Sequence, residues 1–217
     1  MRIATMLRTT KEHPRNHAAN MIVPFETMKA AQAAAILLRE HGGQMSRLRL
    51  LKLLYIASRE CLAETLRPIT GDRIAAMDHG PVPATTYDLL KREHADAPIW
   101  DEFIEQVGPQ EHRLIRDPGV GQLSKYEIEK LRKVSEVRRE MNDYDIALET
   151  HEFEEWKRNK PPAKGVRWIS LDDLLSALNL QDSKQRIEQA IADDAAFDEA
   201  LAMARRQNRE HAAAGQK

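Results

Sequence analysis

The sequence predicts a mainly α-helical protein, built as a compact helical domain with a small antiparallel β-ribbon. Apolar residues recur every three to four positions over several long segments, and this spacing is typical of amphipathic helices. Only 5% of the 217 residues are aromatic, so aliphatic side chains and methionine must fill most of the core. Charged residues make up 31% of the chain, which agrees with extensive solvated helix surface.

Two helices are predicted before the first internal turn. Residues 26–41 carry alanine and leucine on one face, and Gly42-Gly43 marks the end of this helix because glycine is favoured just after a helix. Ser46 is a typical N-cap for a second helix over residues 47–66. That helix is apolar around nearly its whole circumference, with Lys52 as the lone charge in its middle turns. This pattern predicts a central, buried helix.

Two short segments predict strands. Arg73–Met77 and His112–Arg116 are short, are bounded by turn residues and are expected to pair as the antiparallel ribbon. Helices must then cover one face of the ribbon, because two strands alone are marginally stable. In the stretch DHGPVPATTY, which spans residues 78–87, we expect a rigid corner, with Pro83 in the first turn of a helix that carries Tyr87. A further short helix is predicted over residues 98–106.

The second half of the chain is predicted to be helical. Ser124 and Glu127 form an S-x-x-E capping pattern, so a helix is expected over residues 124–143. One or two short helices follow within residues 144–157, Ser170 is expected to cap a helix over 171–178, and a long helix is expected from Asp182 to about residue 209. Residues 1–24 are interpreted as a flexible basic tail, and residues 166–217 as a helical C-terminal extension.

Composition narrows the classes of function. The formal net charge of −1 and the pI of about 6.7 disfavour a strong non-specific binder of nucleic acid. Cys61 is the lone cysteine, so no intrachain disulfide can form, and its apolar surroundings predict a buried thiol. No apolar run approaches the roughly 20 residues of a membrane span, and no secretory pattern is present. We therefore expect a cytoplasmic protein without a membrane partner.

Two candidate sites remain open from the residues alone. His79 and His151 could act together as metal ligands or as bases only if folding brings them together. No metal-binding, phosphate-binding or nucleophile motif accompanies them, so we expect no enzyme activity, no cofactor and no metal. The basic segment Lys157–Arg167, bordered by Trp156 and Trp168, leaves nucleic-acid binding open, although such tryptophans more often anchor a loop on the core.

Three motifs occur in order along the chain: Leu50-Leu51-Lys52-Leu53-Leu54-Tyr55, then His79-Gly80-Pro81-Val82-Pro83 with Tyr87, then Thr150-His151-Glu152 with Trp156. Their order resembles the Panacea domain of SocA-like antitoxins and of the phage-associated proteins called GepA. The resemblance covers about residues 28–160. Met77 stands where many members have an aromatic residue before the second motif, and Leu50 replaces the usual Lys-Leu opening of the first.

This resemblance implies an antitoxin that binds and neutralises a protein toxin encoded by an adjacent gene, with residues 25–165 as the Panacea-like helical domain. Two alternatives are a proteolytic adaptor that delivers its partner to a protease, as in one branch of the family, and a DNA-binding transcriptional regulator. The protein partner is favoured over nucleic acid. The residues expected to bind the partner are His79, Gly80, Pro81, Val82, Tyr87, His151 and Trp156.

Overall fold

The computed structural model describes residues 25–190, 192–193, 196, 200 and 203–204. Over these residues the protein is mainly α-helical, with two small three-stranded antiparallel sheets. The helices are α1 (Thr27–Glu40), α2 (Arg47–Thr65), α3 (Ala84–Leu90), α4 (Ala97–Asp101), α5 (Lys125–Val137), α6 (Asp143–His151), α7 (Glu154–Arg158) and α8 (Leu171–Ala177). The strands are β1 (Gln44–Ser46), β2 (Ile74–Met77), β3 (Gly80–Pro83), β4 (Ile104–Gln106), β5 (Glu111–Leu114) and β6 (Arg167–Ile169).

Both ends of the chain extend beyond the described residues. The predicted basic tail over residues 1–24 lies outside them. At the other end, a 3₁₀ turn over Gln181–Ser183 leads into a helical segment over residues 184–190. Residues 192–193, 196, 200 and 203–204 are also helical, and the rest of the predicted final helix lies outside the described residues.

The central helix is α2, as its sequence predicts. It packs against α1, α5 and α6, and its buried side chains point in all directions around the helix axis. The Ser46 hydroxyl accepts a hydrogen bond from the Arg49 amide at 3.1 Å, which confirms the predicted N-cap. Leu66, with a φ of 62°, ends the helix in a left-handed conformation. The buried part of α2 is thus the centre around which α1, α5 and α6 pack.

Capping side chains set the boundaries of the later helices. Ser124 and Glu127 form the predicted capping box at the start of α5. The predicted helix over 124–143 is too long, because α5 ends at Val137 and the side chain of Asn142 accepts from the Asp145 amide at 2.9 Å to begin α6. The expected short helices within 144–157 are confirmed as α6 and α7, and Ser170 caps α8 as predicted.

The predicted pairing of the two strands is wrong. Arg73–Met77 and His112–Arg116 correspond to β2 and β5, which lie in different sheets. One sheet has the order β1-β5-β4 and the other the order β3-β2-β6. The partners β1, β4 and β6 each have three residues, too few to give an alternating pattern that could be recognised in the sequence.

Two segments predicted as other structure supply strands. The predicted helix over 98–106 is correct only for α4, because Ile104–Gln106 pairs with β5. The proline-rich corner is strand β3, which pairs with β2 in a hairpin closed by the turn residues Asp78 and His79. Proline lacks an N–H donor but is accepted in an edge strand, and β3 lies at the edge of its sheet. On the other side of β2, β6 comes from the predicted C-terminal extension.

Candidate functional site

A buried lysine supports the β2–β3 hairpin from below. Lys52 projects from the middle of α2 and its side chain is fully buried, at 0% exposure. Its Nζ donates a hydrogen bond to the Pro81 carbonyl at 2.7 Å, and no carboxylate in the described part of the chain pairs with it. Burial lowers the pKa of Lys52 from 10.5 to about 7, because a charged ammonium is costly in an apolar interior. The lone charge seen in the sequence therefore serves as a hydrogen-bond donor to the proline-containing strand.

Gly80 is the point at which three segments of the chain meet. Its φ is +94°, a conformation that side chains other than glycine rarely adopt. A Cβ at this position would overlap the Thr150 hydroxyl and would lie 2.9 Å from Lys52 Nζ and 3.2 Å from the His151 ring. All three predicted motifs thus converge on one contact, which requires a residue without a side chain.

His151 and Trp156 form the next layer behind the hairpin. Their rings stack with centroids 4.1 Å apart and an interplanar angle of 3°. Trp156 Nε1 donates to the Met77 carbonyl at 3.0 Å, at the end of β2. Burial lowers the pKa of His151, and the charges of Lys52 and Lys160 lower it further, so the imidazole is neutral at physiological pH. A neutral, stacked imidazole fits a supporting role beneath the turn.

A second buried cluster attaches α7 to α2. Glu155, which is fully buried, accepts from Tyr55 Oη at 2.5 Å and from Arg59 Nε at 2.6 Å. Burial and the Glu155 charge raise the pKa of Tyr55 well above 10, so its hydroxyl remains a donor. Arg59 also lies over the Phe153 ring, 4.2 Å from its centroid. This cluster fixes the start of α7 and therefore the position of Trp156.

An open cleft of about 830 Å³ lies in front of the hairpin. We call it the hairpin cleft. It is bounded by the start of α2, the hairpin turn, α3, the start of β5 and the loop before β6. Its apolar lining is Leu48, Leu51, Met77, Val82, Tyr87 and Val166, and its polar lining includes Ser46, Arg47, Asp78, His79, Gln110, Glu111, Asp143 and Lys164.

Most polar groups around the hairpin cleft are held by neighbours. Asp78 accepts from the Lys164 backbone amide at 2.7 Å, which ties the turn to the loop before β6. Arg47 lies over the Tyr87 ring, 5.7 Å from its centroid. His79 is exposed, and its imidazole forms no side-chain hydrogen bond within the described residues. His79 is therefore available to a partner in the cleft.

The predicted site residues divide into two groups. His79 and Tyr87 lie on the walls of the hairpin cleft, exposed and half-buried respectively, and the buried Gly80 and Val82 also line it. Pro81 lies within the hairpin and accepts from Lys52, whereas His151 and Trp156 lie behind the hairpin and hold it in place. Sequence reasoning missed Lys52 and Glu155 as members of this framework. For Lys52 the signal was present, because it is the lone charge in the apolar middle turns of α2.

The basic segment Lys157–Arg167 is only partly free. Lys157 pairs with Glu152 at 3.0 Å, and Arg158 donates to the Ser176 hydroxyl at 2.7 Å. Lys160 lies over the Trp156 ring, 5.5 Å from its centroid. Trp156 is buried in the core, whereas Trp168 is 42% exposed on the surface. The two tryptophans that border the segment therefore do not form one stacking surface.

The described residues contain no group of three or more histidine, cysteine, aspartate or glutamate side chains placed to hold a metal ion. None of their helices is both long and apolar enough to cross a membrane. Cys61 is buried, as its apolar context predicts, and burial raises the pKa of its thiol.

Comparison with known families identifies the domain. The family model described as "Antitoxin SocA-like, Panacea domain" matches residues 50–157, about half of the chain. This span is shorter than the expected 28–160, but it begins in α2 and ends in α7, so it contains Lys52, the hairpin and the His151–Trp156 stack. No curated protein and no solved structure matches the chain. The chain belongs to the SocA-like Panacea-domain family.

Proposed function

We propose that this protein is an antitoxin that neutralises a protein toxin encoded by an adjacent gene, and that it does so by direct binding at the hairpin cleft. The family supports an antitoxin-type role. The observation that carries the proposal is the construction of the cleft, because the three motifs buttress its hairpin from behind and leave the front open. A rigid concave surface with an apolar floor and a polar rim suits recognition of a protein segment.

The same geometry supports a binding function without catalysis. Lys52 is fully buried and its Nζ donates to the Pro81 carbonyl, so it is not accessible to a substrate. His151 is stacked on Trp156 behind the hairpin, away from the exposed ring of His79. A hydrolase would need a nucleophile and a base within hydrogen-bond reach of each other in an accessible site.

Within the cleft, His79 and Tyr87 are the proposed contacts with the toxin. The exposed imidazole of His79 can donate and accept at the rim. Tyr87 presents an aromatic ring flanked by Arg47 and by Lys91, whose Nζ is 5.2 Å from the ring centroid. Tyrosine and arginine are common among the residues that contribute most to protein interfaces. Gly80, Pro81, Val82, His151 and Trp156 would then shape the surface more than they touch the partner.

A growth assay tests the proposal. The adjacent open reading frame is expressed from an inducible promoter with and without this protein, and the two products are then co-purified. We expect the neighbour to arrest growth and this chain to restore it. His79→Ala and Tyr87→Ala should weaken rescue, whereas Tyr126→Ala, at an exposed tyrosine on α5, should not. A harmless neighbour, or rescue without a complex, would refute the proposal.

The adaptor and regulator alternatives give different results in the same system. A proteolytic adaptor would shorten the half-life of the toxin in cells, and the rescue would depend on a protease. A DNA-binding regulator would shift promoter DNA in a salt-sensitive manner without the toxin. Neutralisation by the purified protein alone, at an unchanged toxin concentration, separates direct binding from both.

A further inference from the structure

The sheet β3-β2-β6 has one closed edge and one open edge. At the closed edge, all four residues of β3 are buried, and the strand packs against α2 and α6. Pro81 and Pro83 in β3 also lack N–H donors. Another strand therefore cannot pair with the sheet on this side.

At the other edge, β6 is accessible. Arg167 and Trp168 are exposed, and so is Val166 just before the strand. Apart from the pairing with β2, the described part of the chain forms no backbone hydrogen bond with residues 166–169. An antiparallel edge strand directs the N–H and C=O groups of alternate residues away from its partner, and these groups can pair with an added strand.

The surface around β6 carries an excess of positive charge. No acidic residue occurs between Glu155 and Asp172 in the sequence. Within the described residues, Lys164 and Arg167 pair with no carboxylate, and Arg73 lies over the Trp168 ring, 4.5 Å from its centroid. Two carboxylates offset part of this charge: Asp78 accepts from the Lys164 backbone amide, and Asp88 interacts electrostatically with Arg73. An open strand edge is thus flanked by cations and by an exposed aromatic ring.

We propose that the protein partner adds an extended, acidic segment to the free edge of β6. The proposal rests on the function proposed above and specifies the chemistry of the partner. Backbone hydrogen bonds to β6 supply affinity, and carboxylates opposite Lys164, Arg167 and Arg73 set the charge of the segment. An apolar side chain of the segment packs on Trp168. Because Lys164 and Val166 also line the hairpin cleft, the segment continues the surface of the cleft.

The test uses the full chain and the product of the adjacent gene, with dissociation constants measured by calorimetry at low and at moderate salt. Lys164→Glu combined with Arg167→Glu should weaken binding at least tenfold and remove most of its salt dependence. Lys125→Glu combined with Lys133→Glu, at two exposed lysines on α5, is the matched control and should have little effect. Hydrogen exchange on the complex should show new protection of those amides in residues 166–169 that do not pair with β2.

The outcomes separate this inference from the proposed function. If the unmodified chain does not bind the adjacent gene product, both are refuted. If it binds and neutralises, but the double reversal has no effect or the amides of β6 gain no protection, the inference fails and the proposed function stands. If the double reversal instead abolishes binding to a nucleic-acid duplex and leaves the protein complex intact, the basic surface serves nucleic acid and the inference is overturned.

Discussion

The buried Lys52 makes the stability of this protein depend on pH in a predictable direction. In the folded chain its pKa is lowered from 10.5 to about 7 by burial. Between these values the unfolded chain binds one proton more than the folded chain, so the free energy of unfolding must rise with pH. The slope is roughly 1.4 kcal/mol per pH unit, which amounts to about 5 kcal/mol over this window. Below pH 7 Lys52 is charged in both the folded and the unfolded chain, and the folded chain carries the full free-energy cost of burying the ammonium group.

Lys52→Met removes the titrating group while keeping a long, flexible side chain in the same space. We expect the variant to lose the rise in stability between about pH 7 and 10, relative to the unmodified chain. At every pH the substitution should also remove about 1 to 3 kcal/mol from the free energy of unfolding, because the Pro81 carbonyl loses the hydrogen bond from Lys52 Nζ. Urea unfolding followed by circular dichroism at half-unit pH steps measures both effects.

The comparison between the two proteins isolates Lys52 from other titrations. The raised pKa values of Cys61 and Tyr55 lower stability at high pH, because the folded chain keeps protons that the unfolded chain releases. Cys61 and Tyr55 are present in the unmodified chain and in Lys52→Met, so their contributions cancel when the two pH profiles of stability are subtracted. Parallel curves for the unmodified chain and Lys52→Met would show that Lys52 is not buried in a low-dielectric site, and the reasoning would be refuted.

Three other substitutions test the framework by chemical denaturation. Gly80→Ala should lower the free energy of unfolding by roughly 3 kcal/mol, because backbone strain at positive φ adds to the overlap of the new Cβ with its neighbours. Gly119→Ala is the control: it has a φ of +73° but open space around it, so it should lower the free energy of unfolding by about 1 kcal/mol. Equal losses for the two variants would contradict the packing at Gly80. Glu155→Gln should lose about 3 kcal/mol because the Arg59 charge is left without its carboxylate, and a neutral effect would show that the pair is solvated. Ser124→Ala should lose about 1 kcal/mol, and an unchanged midpoint would mean that the capping box does not stabilise α5.

The helices were predictable because their signals are local. Ser46, Ser124 and Ser170 each precede an apolar pattern and each caps a helix in the structure. The apolar character of α2 was sufficient to place it at the centre. The boundary error at the end of α5 arose because Asn142 was not recognised as a cap that starts a new helix.

The strands were predicted poorly for a physical reason. A strand of three or four residues has too little pattern to be recognised, and its pairing depends on contacts that are distant in sequence. β2 lies between β3, which follows at once, and β6, which begins about 90 residues later. No local feature of Arg167–Ile169 indicates that partner. The two prolines of β3 argue against a central strand, but they permit the buried edge strand that the chain forms.

For the candidate site, the motif residues were found but their positions relative to the surface were not. His79 and Tyr87 line the cleft, whereas His151 and Trp156 support it from behind. A sequence motif does not distinguish a residue that contacts a partner from a residue that holds the binding surface in place. Only the three-dimensional packing around Gly80 makes that distinction.

The placement of the motifs separates the framework of the hairpin from the surface that is open to a partner. Lys52, Gly80 and the His151–Trp156 stack are directed towards each other, so they fix the hairpin irrespective of what lies in the cleft. The side chains on the rim of the cleft and along β6 make few contacts with this framework, so they can change without disturbing the fold. The pH profile of Lys52→Met tests the premise, because a hairpin that is held by a desolvated lysine must lose stability when that lysine is charged.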